Sequence, residues 1–309
     1  MEYEGSPTLA GMRRILVLGA SGFLGNYLWK HYSANGWEAV GTSYATSNER
    51  FLKFDIADLA SFEDLLRAVA PEVVINASGY INGIAEQAAG IKNSVEGQSA
   101  AIIDLARACV RNKVRLFLTM GSSAEYGEIN HNSITESTEY GELTPYGLMK
   151  RITTESLASL DSDKTQIVVL RPFLVFGFGQ KFPRLTPLIV QNMDNINFLM
   201  SLSLSDRRDF IAVDDFVRIV SRLVDKKICD IEKRFDILNV CSGKGVTIGD
   251  WINKVRVAYG RQEIESFAVR PLTSFVGSNV NLMHHIGPFK FACHENSIRT
   301  LMSANFGNH

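Results

Sequence analysis

Short apolar runs alternate with longer segments of mixed polarity along the first 170 residues of the chain. The runs consist mostly of Val, Ile, Leu and Phe, which is typical of strands that are buried on both faces. Between them, apolar residues recur every three or four positions, which is typical of helices. This alternation predicts a parallel sheet with helices on both faces. The predicted strands read RILVLG, EAVGTS, FLKFD, EVVINAS, VRLFLTMGS and QIVVLRP.

The alternation becomes irregular after Arg171-Pro172, where the chain reads FGFGQKFPRLTP, and one further strand is predicted at FDILNVCSG. We therefore predict an α/β protein with two lobes. The first is a Rossmann-type doubly wound parallel sheet over residues 12–171, which 209–241 rejoin. The second is a smaller C-terminal α/β lobe made of 172–208 and 242–309.

Composition and charge exclude several classes of protein and of binding partner. With 46% apolar residues and a net charge of −1, the 309-residue chain lacks both a disordered acidic tail and a broad basic face, so nucleic acid is not an expected partner. No stretch approaches the roughly 18 uninterrupted apolar residues of a membrane span, and the acidic start MEYEGSPTLAG is unlike a signal peptide. Four scattered cysteines suggest neither a disulfide framework nor a zinc site. We expect a cytoplasmic protein that does not bind membranes or metals.

Three glycines, Gly19, Gly22 and Gly25, follow the first predicted strand in the stretch ILVLGASGFLGNYLWKHY. Glycine permits a tight turn and lets a pyrophosphate approach backbone N–H groups, where a helix N-terminus adds partial positive charge. The pattern predicts a dinucleotide site, although an ordinary glycine-rich joint between strand and helix gives the same letters. The residues assigned to this site are Gly19, Ser21, Gly22, Phe23, Leu24 and Gly25.

The second predicted strand ends at Gly41-Thr42-Ser43-Tyr44 and lacks the carboxylate that holds the ribose hydroxyls of NAD. Thr42 and Ser43 would instead offer hydroxyl donors to a 2′-phosphate, with Arg50 as a counter-charge. This favours NADP(H) as the cofactor and leaves NAD(H) possible. Alternatively, Thr42 and Ser43 are plain loop residues.

Tyr146 and Lys150 lie four residues apart in a predicted helix opened by Pro145, so both project from one face. An isolated tyrosine is a poor proton donor at neutral pH, but a nearby ammonium group favours its phenolate. Ser122, at the end of the fifth strand, could hydrogen-bond a substrate carbonyl, with Ser123 as the alternative. Alone, this spacing also occurs on helix surfaces, where the pair has no catalytic role.

In combination, the glycine turn, the serine and the Y-x-x-x-K spacing resemble the extended short-chain dehydrogenases/reductases, which modify nucleotide sugars. Further segments are similar to that family in order and spacing, including RRDFIAVDD and LNVCSGKGVTI. The resemblance implies additional cofactor contacts from Asp55 and Ile56 beside the adenine, from Asn76, Ala77 and Ser78 in NASG, from Asn93 in KNSVEG, and from Lys150.

The resemblance also implies the substrate contacts and the assembly. Arg208 of RDF and Arg270 of VRP are expected to bind the nucleotide diphosphate, and Ser123 is expected to contact the substrate. The second lobe is expected to bind the nucleotide-diphosphate sugar. A homodimer is expected, paired through the helix predicted over about residues 86–112 and the helix that carries Tyr146.

Within the family, dehydratases carry an acidic residue two positions after the catalytic Ser or Thr, where this chain has Ala124. MGSSAEYG and NVCSGKGV most resemble the nucleotide-sugar 4-ketoreductases, such as GDP-4-keto-6-deoxy-mannose reductase. The expected function is therefore NADPH-dependent reduction of a C4 ketone in activated deoxysugar biosynthesis. Two alternatives stay open, namely a C4 epimerase with tightly bound NAD and a non-catalytic cofactor-binding regulatory subunit. The nucleotide base, the sugar length and the configuration of the alcohol are not determined by the sequence.

Overall fold

The computed structural model describes most of the chain, and these residues form two compact units. The first unit comprises the described residues within 1–127, 143–171 and 220–238, and the second those within 128–142, 172–219 and 239–309. The predicted division of roles between a cofactor lobe and a substrate lobe stays a prediction. The described residues are 13–45, 49–79, 94–160, 162, 164–229, 234–264 and 273–303.

A seven-stranded sheet dominates the first unit, in the order β10-β7-β5-β4-β1-β2-β3. The central strands read as unbroken apolar runs because both faces are covered, and the side chains from Ile15 to Leu18 have no exposed surface. The predicted Rossmann-type fold is confirmed, including the return of FDILNVCSG to the sheet. Its strands are β1 (Arg14–Leu18), β2 (Glu38–Ser43), β3 (Phe51–Lys53), β4 (Val73–Asn76), β5 (Leu116–Met120), β7 (Gln166–Pro172) and β10 (Phe235–Val240).

The strand order reverses at β1, which pairs in parallel with β2 on one side and with β4 on the other. In open parallel sheets, ligands bind at the carboxyl ends of the strands where the order reverses. Gly19 follows β1 directly, and Asn76 is the last residue of β4. The sheet therefore brings the glycine turn and the NASG segment to the edge where a ligand is expected.

Helices connect the strands, and local sequence explains where several of them begin. Asp58 caps α2 by accepting a 3.0 Å hydrogen bond from the Ser61 amide, and Thr144 caps α4 directly before Pro145. The helices are α1 (Phe23–Ala34), α2 (Leu59–Val69), α3 (Ala100–Arg111), α4 (Pro145–Ala158), α5 (Leu185–Gln191), α6 (Ile196–Met200), α7 (Val213–Cys229), α8 (Ile248–Ala258), α9 (Val280–Ile286) and α10 (His294–Ser303).

The helix predicted over about residues 86–112 is observed only in part. Residues 86–93 lie outside the described residues, Ser94–Ser99 form a π-helical turn, and α3 follows. The wide turn contains Gly97, and glycine is a weak helix former. Among the described residues of this stretch, regular α-helical geometry therefore extends from Ala100 to Arg111.

The second unit is built on a smaller sheet, in the order β11-β9-β12-β6, with β8 paired to β9. Its core surrounds Trp251, whose ring stacks on Phe210 at a centroid distance of 3.9 Å and meets the edge of Phe176. A second α/β unit is thus present, as predicted. Its strands are β6 (His131–Ile134), β8 (Leu174–Phe176), β9 (Arg207–Ala212), β11 (Gly245–Thr247) and β12 (Ser274–Gly277).

Within the described part of the chain, no helix combines the length and the apolar character needed to cross a membrane. The same residues contain no group of three or more His, Cys, Asp or Glu side chains placed to hold a metal ion.

Candidate active site

The chain turns sharply at Gly19 on leaving β1 and enters α1. Gly19 has a φ of +74°, a conformation that glycine adopts without strain. A Cβ atom at Gly19 would lie 2.8 Å from the backbone of Ser78, and one at Gly25 would lie 2.8 Å from the carbonyl carbon of Gly19. Ser21 and Gly22 are exposed at the same turn. The glycines are therefore required by close backbone contacts, and the turn opens onto the N-terminus of a twelve-residue helix.

Thr42 and Ser43, at the end of β2, are both buried. The hydroxyl oxygen of Thr42 accepts a 3.3 Å hydrogen bond from the Gly19 amide, and the Ser21 hydroxyl donates one of 2.9 Å to Ser43 Oγ. Both hydroxyl oxygens thus help to hold the glycine turn in place, and their contact with a cofactor stays a prediction. Arg50, in contrast, is exposed.

The loop after β4 is fixed by the buried side chain of Asn76. Its amide nitrogen donates a 3.0 Å hydrogen bond to Thr119 Oγ1, while its oxygen accepts hydrogen bonds from the amide and the hydroxyl of Ser78. Since Gly19 packs against Ser78, two of the predicted cofactor segments are adjacent. The other predicted positions have surface available, with Asp55 exposed and Phe23, Leu24, Ile56 and Ala77 half-buried.

Tyr146 and Lys150 lie on α4, as predicted from their spacing. The Lys150 ammonium nitrogen is 5.9 Å from the centroid of the Tyr146 ring. Lys150 is buried, and it donates a 2.7 Å hydrogen bond to the carbonyl oxygen of Met120. A Cβ at Gly79 would lie 3.9 Å from the same nitrogen, so the lysine head also borders the loop after β4. A solvated surface lysine is therefore excluded at this position.

Ser122 follows β5 and caps a short 3₁₀ turn, Ser123–Tyr126. Its hydroxyl oxygen accepts a 3.1 Å hydrogen bond from the Ala124 amide. The start of α4 packs directly on this turn, because a Cβ at Gly147 would overlap the carbonyl oxygen of Ala124. Both Ser122 and Ser123 are half-buried. The fold thus brings together the segments that carry Ser122, Tyr146 and Lys150.

Glu125, one residue beyond the position of the dehydratase acid, is fully buried. One carboxylate oxygen accepts a 2.8 Å hydrogen bond from the Ser122 amide, and the other accepts a 2.9 Å hydrogen bond from Arg171 Nε. Arg171 also donates a 3.0 Å hydrogen bond to the Tyr126 hydroxyl. Burial lowers the pKa of Arg171, but Glu125 and Tyr126 outweigh it, so the net shift is upward.

In the second unit, Arg208 is positioned by β9. Its guanidinium group forms a 2.9 Å ion pair with Asp206 and donates a 3.1 Å hydrogen bond to Thr273 Oγ1. The neighbouring Asp209 is buried, and its carboxylate accepts hydrogen bonds from Ser242 and Gly243. Burial raises the pKa of Asp209 to about 6. The predicted site residues Asn93 and Arg270 lie outside the described residues.

Residues 15–241 match the family described as the NAD dependent epimerase/dehydratase family, which is well over half of the chain. The chain belongs to this family. The match agrees with the predicted resemblance to the extended short-chain dehydrogenases/reductases.

Two relatives and one solved structure illustrate this membership of the epimerase/dehydratase family. A GDP-6-deoxy-D-talose 4-dehydrogenase from Aggregatibacter actinomycetemcomitans is 27% identical over 76% of both chains. A GDP-L-fucose synthase from Azorhizobium caulinodans is 21% identical over 80% of this chain and 81% of its own. A UDP-glucose 4-epimerase from Thermotoga maritima, solved with UDP-glucose, superposes with a TM-score of 0.77 over 94% of this chain and 97% of its own. At 18% identity, this last likeness shows the fold alone.

An NAD-dependent family implies a nicotinamide dinucleotide, and the residues present fit one. The turn is compact because Gly19 and Gly25 have no Cβ, which at either position would meet backbone atoms. A pyrophosphate needs such a side-chain-free turn in order to approach the backbone N–H groups closely. Exposed Ser21 and Gly22 border that turn. The family's NAD dependence is therefore compatible with the geometry.

Sequence reasoning did not find the interaction between Glu125 and Arg171. A signal for it was present, because Arg171 directly follows the apolar run IVVL in a strand whose residues are almost all buried. A charge in such a run requires a buried partner of opposite sign. An acidic residue in the preceding strand-to-turn segment was the natural candidate.

Proposed function

We propose that the protein reduces the C4 ketone of a nucleotide-diphosphate 4-keto-6-deoxy sugar, as a step in activated deoxysugar biosynthesis. The observation that carries this proposal is the group formed by Ser122, Tyr146 and Lys150 beside Ala124, a residue without proton chemistry. When bound, NADPH supplies the hydride that carbonyl reduction requires.

Each residue of the group has a separate role in this reaction. The Tyr146 hydroxyl protonates the oxygen as the ketone becomes an alkoxide. Ser122 donates a hydrogen bond to the same oxygen and keeps its proton, since its own oxygen already accepts the Ala124 amide. Lys150 holds the nicotinamide ribose and places a positive charge 5.9 Å from the Tyr146 ring centroid, where it stabilises negative charge on the phenolic oxygen.

The surroundings of Ser122 oppose dehydration. Loss of water would need an acid or base beside the sugar, but Ala124 has only a methyl group. Glu125 is buried with both oxygens bonded to the Ser122 amide and to Arg171. A carboxylate so enclosed does not reach a substrate. The chain therefore depends on another enzyme to form the ketone.

The proposed substrate class is supported by the relatives. The protein from Aggregatibacter actinomycetemcomitans is named as a 4-dehydrogenase of a GDP-linked 6-deoxy sugar, which is the same redox chemistry at the same carbon. For this chain we propose that Arg208 and Arg270 bind the diphosphate, with Ser123 near the sugar. Arginine suits that task because its planar fork donates two parallel hydrogen bonds.

A C4 epimerase with tightly bound NAD is the second candidate. It uses the same side chains, and the fold neighbour from Thermotoga maritima is named as such an enzyme. The end of β2 argues against the epimerase, because it has no carboxylate to hold the NAD ribose. The regulatory-subunit alternative is weaker, because the proposed catalytic group is intact.

The proposal includes a homodimer paired through α3 and α4. Leu148, an exposed apolar residue on α4, supports it. Light scattering at micromolar concentration tests this part, and a monomeric mass would contradict it.

Isotope transfer tests the proposed reaction directly. The protein is incubated with NADPH deuterated at C4 of the nicotinamide and with a freshly made GDP- or dTDP-4-keto-6-deoxyhexose. Mass spectrometry should find one deuterium in the product, at C4 of the sugar. A parallel incubation uses an unmodified nucleotide hexose in place of the ketone. No deuterium in any product of the ketone, together with inversion at C4 of the hexose without uptake of deuterium, would instead support the epimerase.

A further inference from the structure

The ion pair between Glu125 and Arg171 is among the most buried charge pairs of the described residues. Their side chains are 0% and 4% exposed, and Nε lies 2.9 Å from the carboxylate. Taking two charges out of water carries a desolvation penalty that their attraction often fails to offset, so such a pair is weak grounds for stability alone. Its presence next to Ser122 calls for another explanation.

The carboxylate of Glu125 connects this pair to the backbone of Ser122. Its second oxygen accepts the Ser122 amide at 2.8 Å, while the Ser122 hydroxyl accepts the Ala124 amide at 3.1 Å. These two bonds form a capping box that fixes both the main chain and the side chain of Ser122. Arg171 in turn prevents the carboxylate from turning away.

Gly121 gives an independent sign that the local backbone accommodates this contact. A Cβ atom there would lie 2.5 Å from the carboxylate oxygen of Glu125 and 3.0 Å from the carbonyl oxygen of Leu170. The Gly121 amide donates a 2.7 Å hydrogen bond to that carbonyl of β7. The residue before Ser122 is thus held to the sheet and leaves room for the carboxylate.

We propose that Glu125 and Arg171 are positioning residues that hold the Ser122 hydroxyl in place for the reacting carbonyl. The inference rests on the proposed function for the identity of that carbonyl. Neither side chain touches the substrate, and neither gains or loses a proton in the reaction. Their effect passes through the Ser122 amide.

The test compares two double variants that each replace a buried ion pair by apolar residues. E125L/R171M removes the pair beside Ser122. K227M/D236L is the matched control, because Lys227 and Asp236 form an ion pair in the same unit with side chains 1% and 3% exposed. Apolar replacement of both partners avoids an unpaired buried charge, so both proteins are expected to fold.

For E125L/R171M we expect kcat for the ketone to fall about tenfold to a hundredfold, as a misplaced catalytic group does. The control pair should keep the wild-type kcat, and NADPH affinity should be unchanged in both. E125Q/R171M, which retains an oxygen to accept the Ser122 amide and leaves no unpaired buried charge, should lie closer to the wild type than E125L/R171M. Wild-type kcat in E125L/R171M, or an equal loss in both double variants, would overturn the proposal.

Amide hydrogen exchange supplies a readout that needs no substrate. The Ser122 amide should be protected in the wild type and in E125Q/R171M, and should exchange faster in E125L/R171M alone. Rapid exchange of this amide in the wild type overturns the positioning role even if no variant folds. If the wild type reduces no ketone while its Ser122 amide is protected, the proposed function fails but the exchange comparison still decides the role of Glu125.

Discussion

The ammonium group of Lys150 donates a 2.7 Å hydrogen bond to the carbonyl oxygen of Met120, the last residue of β5. This bond ties the helix that carries Tyr146 to the strand that leads into Ser122. It also keeps a buried positive charge beside the tyrosine ring. The proposed catalytic group is therefore held by main-chain contacts on two different elements.

Replacing Lys150 by methionine should impair both cofactor binding and turnover. The substitution keeps an apolar stem of similar length but removes the charge and the donor to Met120. Loss of one charge-assisted hydrogen bond, worth roughly 1.5 to 3 kcal/mol, should weaken NADPH binding about tenfold to a hundredfold. Titration calorimetry measures the affinity. Lys226→Met, at an exposed position of α7, is the control, and unchanged NADPH affinity in Lys150→Met would contradict the assigned role.

Replacing Tyr146 by phenylalanine should separate chemistry from binding. The ring remains against Lys150, but the proton donor is lost. Turnover should fall by roughly two to four orders of magnitude, while NADPH affinity stays near the wild-type value. Single-turnover kinetics and calorimetry give the two quantities. Tyr140→Phe changes an exposed tyrosine in the same way and should have no effect; a fully active Tyr146→Phe protein would exclude Tyr146 as the donor.

NADPH should bind more tightly than NADH, by about tenfold to a hundredfold. Because Arg50 is exposed and its guanidinium group carries the charge that a phosphate favours, we assign the charge contact with the 2′-phosphate to Arg50. Arg50→Gln should weaken NADPH binding and leave NADH binding unchanged, whereas exposed Lys30→Gln should change neither. Tighter binding of NADH by the wild type would contradict the assignment and favour the epimerase.

Asp209 should make the second unit less stable as the pH rises. Burial raises its pKa from 3.8 to about 6, so the folded protein binds this proton more tightly than the unfolded chain. The resulting stabilisation is present below pH 3.8 and is lost as the pH rises through 6. A shift of this size corresponds to about 3 kcal/mol.

The comparison with Asp209→Asn isolates this effect, because the variant does not titrate there and its altered hydrogen bonds do not depend on pH. The free energy of unfolding of the wild type minus that of the variant should fall on the order of 3 kcal/mol between pH 4 and pH 7. Urea denaturation gives the free energy of unfolding of both proteins. A difference that is constant or rises with pH would show that the pKa of Asp209 is not raised.

Much of the first sheet could be predicted from the sequence because its strands are buried on both faces and read as unbroken apolar runs. The spacing of Tyr146 and Lys150 likewise fixed their common helix face. The hydrogen bonds that Thr42 and Ser43 form with Gly19 and Ser21 could not be predicted, because they join residues more than twenty positions apart.

The contact between Glu125 and Arg171 could not be predicted for the same reason, because the two residues are 46 positions apart. The π-helical turn at Ser94–Ser99 was missed for a local reason. Apolar periodicity does not distinguish a π-helical turn from an α-helical one over a few residues.

The most direct test of the proposed function is NADPH oxidation, followed at 340 nm, with GDP- and dTDP-4-keto-6-deoxyhexoses generated by separate dehydratases. We expect one of the two ketones to be reduced with one NADPH consumed for each sugar, and no turnover of unmodified nucleotide hexoses. If neither ketone is reduced, and an unmodified nucleotide hexose is epimerised at C4 without added cofactor, the protein is an epimerase and the proposed reduction is wrong.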